Sequence, residues 1–327
     1  MNTRIFSKNG PAVSEVGLGC WQLGGSEWGE VDEPLAFGIL KAAVDAGINF
    51  FDTADIYGNG RSETLIGKFL KDSRAKVFLA TKLGRSSALY PDKYTEDGVR
   101  AATEASLRRL GVEALDLTQL HCVPTEVMRR GEIFEWLRRL QREGKIRRFG
   151  ASVESAEEAL ICLEQAGLAS LQIIFNIFRQ KPIASFFSQA QAKGVALIVR
   201  LPLASGLLSG KMTLGHHFGP ADHRTFNRDG QYFNVGETFA GLPYEKGVEL
   251  ADALKPLVPA GMTMAQMSQR WILDFEAVSV IIPGATRPAQ VVENASVSAL
   301  PPLGSQLHRE LEKFYKSRVA THIRGTY

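Results

Sequence analysis

Four side chains with usable chemistry stand at or just past the ends of short apolar runs in this 327-residue chain. Asp52 and Tyr57 belong to NFFDTADIYGNG (49–60), Lys82 to VFLATKLG and His121 to LDLTQLHCVP. Lys82 ends an apolar run, where an isolated charge is too costly to bury, and Asp52 is the available counter-ion. A free phenol titrates near pH ~10. An ammonium beside Tyr57 stabilises its phenolate and is expected to bring the phenol toward useful acidity. His121 can donate a hydrogen bond to the oxygen that Tyr57 protonates. Asp52 and Lys82 alone would read equally well as a structural ion pair; a phenol and an imidazole at matching positions change the reading. The quartet suits protonation of a carbonyl oxygen while another species attacks the carbon. No nucleophile with a base beside it stands out, so acyl transfer is not indicated and the attacking species is expected from a cofactor.

The quartet works only if the elements that carry it converge. Short apolar runs recur at Glu15–Gly19, Asn49–Asp52, Val77–Lys82, Leu115–His121, Arg148–Ser152, Leu171–Asn176, Ala196–Leu201 and Val278–Pro283. Segments of helical periodicity lie between them, at Pro34–Ala46, Thr95–Leu110, Val127–Glu143, Ser155–Gln165, Ile183–Lys193, Tyr244–Leu257 and Thr263–Asp274. Gly47, Gly111, Gly144 and Gly194 punctuate the ends of four of these. Alternating strands and helices predict parallel strands with crossover helices. An open doubly wound sheet would carry a G-x-G-x-x-G after its first strand, but Gln22 stands where the third glycine belongs. SGLLSGK (205–211) fails as a phosphate loop, with three residues between Gly206 and Gly210 and no hydroxyl after Lys211. Eight strands in this length predict an α/β (β/α)8 TIM barrel as a single domain over 1–327, in which residues past the strand ends meet on one face. TRIFSKNGPAVSEVGLG adds an N-terminal β-hairpin turning at Asn9-Gly10, placed to plug the bottom. The irregular stretch Lys211–Leu242 reads as a lid or binding loop at the mouth.

Composition excludes several classes. A net charge of +3 gives no argument for nucleic acid. The Arg-rich segment 129–148 interleaves Ile133, Phe134, Leu137 and Leu140 at helical spacing, the mark of a solvated barrel helix. Three cysteines without C-x-x-C spacing fit a reducing compartment. His216, His217 and His223 lack cysteine or helical pairing, so no metal site is expected. Without a leader-like N-terminus or a long apolar run, a cytoplasmic protein with no membrane partner is expected. Trp21 and Trp28, after the first strand, are placed as walls of a substrate pocket.

Taken together, FDTADIYG, ATKLG, LRRLGVEALDLTQLH, GKIRRFGAS, PLASGLLSGK and IIPGATRPAQVVEN resemble the aldo-keto reductase superfamily along nearly the whole chain. The resemblance implies NAD(P)H-dependent reduction of an aldehyde or ketone, a small-molecule substrate, with Asp52, Tyr57, Lys82 and His121 as the catalytic tetrad. It implies that Ser152 and Gln172, opening the sixth strand, bond the nicotinamide carboxamide, and that Arg200 replaces an aromatic ring against the nicotinamide. Backbone N–H groups of Leu203, Ser205, Gly206 and Leu207, with Ser209 and Lys211, would wrap the pyrophosphate. Gly284, Thr286, Arg287, Gln290 and Asn294 would hold the adenosine phosphate, with the Arg287 fork favouring NADP(H) over NAD(H). Val153 stands where many relatives carry Asn. A nucleotide-sensing regulatory subunit with slow or no turnover is the competing reading.

Overall fold

The computed structural model describes residues 1–25 and 27–327. Eight parallel strands form one sheet in strict sequence order: β3 (Leu18–Gly19), β4 (Phe50–Asp52), β5 (Phe78–Leu83), β6 (Leu117–His121), β7 (Phe149–Ser152), β8 (Leu168–Ile174), β9 (Ala196–Arg200) and β10 (Val278–Ile281). Parallel bridges join Val16 to Ile281 and Gly19 to Gly284, so the first strand meets the last and the sheet closes. Gly17 N donates to Ile281 O (2.8 Å) and Ile281 N to Glu15 O (3.0 Å) across this seam. The fold is a (β/α)8 barrel, and each strand overlaps one of the eight apolar runs. The strands are almost wholly buried because helices cover the outside and side chains fill the inside.

The hairpin β1 (Thr3–Ile5) and β2 (Ala12–Ser14) precedes the barrel, its turn carried by Asn9 at φ 59°. Phe6 from this hairpin packs on Phe50 (5.6 Å) and Phe78 (4.8 Å), whose rings stack on each other at 5.1 Å. Val13, Ala80, Leu117, Ala196, Ile198 and Val280 complete this inner core. The bottom is plugged, as the pattern predicts.

Around the barrel run α1 (Glu33–Asp45), α2 (Arg61–Ser73), α3 (Glu96–Leu110), α4 (Thr125–Arg130), α5 (Glu132–Arg142), α6 (Ala156–Leu163), α7 (Ser188–Lys193), α8 (His223–Phe226), α9 (Tyr244–Leu254), α10 (Met264–Leu273), α11 (Pro288–Ser296) and α12 (Ser305–Phe314). Side-chain caps start several: Asp32 accepts from Leu35 N, Thr95 from Gly98 N, Ser155 from Glu158 N, and Thr263 with Gln266 forms a capping box. Two expectations need correction. The single helix Val127–Glu143 is two helices, α4 and α5, because Gly131 takes φ 80°. Strand β8 begins at Leu168, so Gln172 does not open it; Gln172 pairs with Ser152 close to the mouth. No helix among the described residues is long and apolar enough to cross a membrane.

Candidate active site

Asp52 and His121 end their strands and Lys82 lies one residue from the end of β5, all at the mouth. Tyr57 sits in the turn between β4 and α2. The structure brings all four together. Lys82 Nζ lies 2.5 Å from Asp52 Oδ2, 2.8 Å from Thr53 O and 3.3 Å from the Tyr57 hydroxyl. The Tyr57 and His121 rings meet edge to face at 5.8 Å. Asp52 Oδ1 accepts from Gln172 Nε2 (2.7 Å) and Gln119 Nε2 (3.3 Å), which holds the carboxylate rigidly opposite the ammonium.

Electrostatics correct one expectation. Burial pushes the Tyr57 phenol up to about 12; the Lys82 ammonium pulls it back without restoring an ordinary phenol. Desolvation of the phenolate therefore outweighs the nearby cation. For Lys82, burial works against the ammonium, but Asp52 and Tyr57 more than offset it, and the net direction is up. His121 is driven well below the usual imidazole value, first by burial and then by the Arg85, Lys82 and Arg200 charges. The site thus holds a charged ammonium, a neutral imidazole and a protonated phenol.

A cavity of about 620 Å³ opens above this cluster and extends across the mouth to α11. Asp52, Tyr57, His121, Trp21 and Trp28 line it, with Gln172, Arg200, Leu203, Ser205, Gly206, Ser209, Lys211, Gly284, Thr286, Arg287, Gln290 and Asn294. Lys82 lies beneath its floor, 1 % exposed. Ser152 and Leu207 do not reach the wall. Ser152 is buried against Cys122 (Sγ to Oγ 3.7 Å), and the Leu207 side chain lies against Gly247. Several expected contacts are used inside the protein. Gln172 Nε2 faces Asp52, which leaves its amide oxygen for a ligand. Gly206 N–H bonds Leu203 O within its turn. Gln290 Oε1 accepts from the N–H groups of Thr286 and Arg287, so these donors at the start of α11 are capped.

Arg200 is also committed. Its Nη1 lies 3.6 Å from Glu237 Oε2 and its Nη2 3.3 Å from Val153 O, with Cys122 Sγ at 3.7 Å. Glu237, from a short 3-10 turn (Val235–Glu237) in the long segment 211–242, also pairs with Arg85 (3.1 Å), and Arg85 pairs with Glu154 (3.2 Å). Cys122, Glu154 and Glu237 come within 4.8 Å of one another, but the two guanidiniums already supply the positive charge there. Of the three histidines weighed for metal, His216 lines the cavity and His223 packs on Trp28 at 4.3 Å and Trp21 at 5.0 Å.

Sequence reasoning did not single out Arg85, Glu237, Arg224, Gln22 or Gln269, although the last four line the cavity. Arg85 directly follows the ATKLG motif, the one local signal available; Glu237 and Arg224 lie in a segment without periodicity. Four residues that line the cavity carry a buried atom without a partner: Gln22 Oε1, Arg200 Nε, His121 Nδ1 and Gln269 Oε1. A cavity lined by amides, basic side chains and glycines just past the ends of β9 and β10 fits a dinucleotide.

The sequence profile described as the aldo/keto reductase family matches residues 15–316. The aldo-keto reductase YhdN of Bacillus subtilis (strain 168) is 31 % identical over 298 residues, covering 89 % of this chain and 87 % of that protein. The holo form of aldo-keto reductase AKR11C1 from Bacillus halodurans superposes with a TM-score of 0.79 at 25 % identity, covering 100 % of this chain and 98 % of that one. Glycerol dehydrogenase AKR11B4 from Gluconobacter oxydans gives 0.78 at 29 % identity, covering 99 % and 98 %. The closed barrel, the buried quartet at its mouth and these likenesses agree: the chain belongs to the aldo/keto reductase family, and it is an oxidoreductase that reduces carbonyl groups with NAD(P)H.

Proposed function

We propose that Tyr57 is the proton donor of this reaction, with Lys82, Asp52 and His121 as its partners, and that the working cofactor is NADPH. The observation that carries the reading is the contact of Lys82 Nζ with both Asp52 Oδ2 and the Tyr57 hydroxyl beneath the cavity floor. A bound nicotinamide supplies hydride to the carbonyl carbon. As the carbonyl oxygen gains charge, the Tyr57 hydroxyl delivers its proton, and Lys82 stabilises the phenolate left behind. Neutral His121 donates a hydrogen bond to the same oxygen and aligns it with the phenol. Asp52, fixed by Gln172 and Gln119, balances the ammonium.

Lys211, Ser209 and the 203–206 turn would hold the pyrophosphate, and Arg224 approaches the same turn through Ser205 O (3.4 Å). Gln172 offers its amide oxygen to the carboxamide, and Trp21, stacked on Tyr57 at 5.8 Å, walls the substrate side with Trp28. Arg287 makes no ion pair among the described residues and is exposed beside α11, as a 2′-phosphate ligand requires. NADPH is expected to bind at least about tenfold more tightly than NADH, a difference of about 1.4 kcal/mol; equal affinities in a fluorescence titration would remove that preference.

Steady-state oxidation of NADPH with 4-nitrobenzaldehyde tests the activity, and Tyr57→Phe tests the donor. The variant should lose roughly 10²- to 10⁴-fold in kcat while binding NADPH almost normally. Near-normal turnover by Tyr57→Phe would remove it as the acid. Tight NADPH binding by the native chain without turnover of any carbonyl would favour a nucleotide-sensing regulatory role.

A further inference from the structure

The long segment 211–242 carries part of the cavity wall, through Lys211, Met212, His216, Arg224 and Glu237. Its own regular structure is slight: the four residues of α8 and two 3-10 turns, Val235–Glu237 and Phe239–Gly241. A segment with so little structure of its own keeps its place through contacts made from outside. Arg324 makes several of them. Its N and Nε both donate to Gly241 O (3.1 and 3.0 Å), Nη2 donates to Leu242 O (3.2 Å) and Arg228 O (3.4 Å), and Nη1 pairs with Asp229 (2.6 Å). One side chain thus ties together both ends of the stretch 228–242.

Arg179, beyond β8, holds the same stretch from the barrel side. It is 1 % exposed, donates to Ala240 O (3.3 Å) and Thr326 O (2.8 Å), and lies over the Tyr327 ring at 4.3 Å. A Cβ on Gly236 would lie 2.5 Å from Arg179 Nη1, and one on Gly325 2.6 Å from Val235 Cγ1, so the turn that bears Glu237 is gripped from two sides. Tyr327 anchors residues 324–327 to the barrel. Its hydroxyl accepts from Lys181 N (2.9 Å) and shares a hydrogen bond with the Tyr315 hydroxyl (2.7 Å).

We propose that Arg324 and Arg179 are positioning residues for the cofactor: with residues 325–327 they form a clasp that fixes segment 211–242, and Glu237 with it, against the cavity. This rests on the placement of the dinucleotide in that cavity and adds what governs its residence time. Residues 323–327 are not among those lining the cavity, so they reach a ligand only through the segment they hold. Burying a guanidinium is unfavourable, and charge-assisted bonds to carbonyl oxygens offset that only while they are made. Arg179 spends its bonds on the segment and on residue 326 together, so withdrawing one loosens its hold on the other. A displaced segment would take the Glu237 carboxylate from Arg85 and Arg200 and the Arg224 and His216 side chains from the cavity. Asp52, Lys82 and His121 would stay, because barrel strands carry them. Loosening the clasp therefore weakens cofactor retention and spares proton transfer.

Arg324→Ala tests this, with Arg324→Lys beside it. Release of NADPH, displaced by excess NADP and followed by stopped-flow fluorescence, should be about tenfold or more faster for Arg324→Ala, with Kd rising in proportion. Single-turnover reduction of 4-nitrobenzaldehyde by the saturated variant should stay within about twofold of native. Arg324→Lys keeps a cation within reach of the same oxygens and should recover part of the loss. In the cofactor-free chain, amide exchange over 227–242 should be about tenfold or more faster in Arg324→Ala, with β5 to β8 unchanged. Gly325→Ala, whose Cβ presses on Val235, should act in the same direction and serves if Arg324→Ala does not fold. Native release rates in the variants overturn the clasp while leaving the cofactor site intact. Faster exchange throughout the barrel, or a single-turnover rate that falls as far as affinity does, would make Arg324 a general stabiliser and overturns it too. If NADPH does not bind the native chain, the cofactor reading fails and the clasp falls with it.

Discussion

The two ends of the barrel are built from the same strands and solve opposite problems. At the bottom, Phe6, Phe50 and Phe78 fill the barrel with stacked and tilted rings, joined by aliphatic side chains. At the top, the same strand β4 that contributes Phe50 ends in Asp52, and β5, which contributes Phe78, carries Lys82 near its end. Fewer than five residues along each strand separate ring packing from a buried ion pair. Burying rings stabilises the fold; burying an ammonium and a carboxylate gains little net stability, because desolvation offsets their attraction. The mouth therefore holds charge for chemistry, and the plug supplies stability it does not.

The comparison is broken most sharply by Lys82→Met. Turnover should fall roughly 10²- to 10⁴-fold, because the phenolate loses its counter-charge. The same change leaves Asp52 buried and unpaired, which should cost about 3–5 kcal/mol in denaturant unfolding. Asp52→Leu combined with Lys82→Met should recover most of that stability without recovering activity. A double variant as unstable as the single one would mean that the pair holds the fold together. Phe6→Ala acts at the other end. It should destabilise by about 3–5 kcal/mol, while kcat per folded molecule stays within about twofold of native. A large loss of kcat in the folded protein would show that the ends are coupled.

The smallest effect expected is an absence of pH sensitivity. The donor must be protonated, and its pKa lies above the ordinary 10.0, at about 12, so carbonyl reduction should not decline as pH rises through 10. His121 lies well below 6.5, so no acid limb should appear near that value either. A rate that falls across either region would place a different group in control.

Much of this could be read from the chain, for identifiable reasons. The barrel strands announce themselves because both faces are buried, giving continuous apolar runs. The quartet was legible because each polar residue interrupts such a run at its end. Helix α2 was not, since Ser62 and Glu63 face inward. Glu63 is fully buried and bonds Thr81 (2.5 Å) and Arg109 (2.6 Å), which blurs the apolar stripe. Glu237 was hidden differently, because its partners Arg85 and Arg200 are remote in sequence and no periodicity marks the loop that carries it. The acidity expected of Tyr57 failed because a sequence shows that a cation is near but not how far water is excluded.

The meeting of first and last strands has a consequence of its own. A Cβ on Gly19 would lie 2.7 Å from the backbone oxygen of Ile282, so that position is sterically bound to glycine, whereas one on Gly284 would meet the end of the Gln22 side chain. Gly19, Gln22 and Gly284 also line the long cavity. A dinucleotide resting there would bridge the joint between first and last strands, the one non-consecutive joint among the described residues, and filling the site would rivet the two halves of the ring. Ligand occupancy should therefore slow amide exchange at Gly17 and Ile281 as much as at the residues it touches, making cofactor uptake a structural event for the whole scaffold.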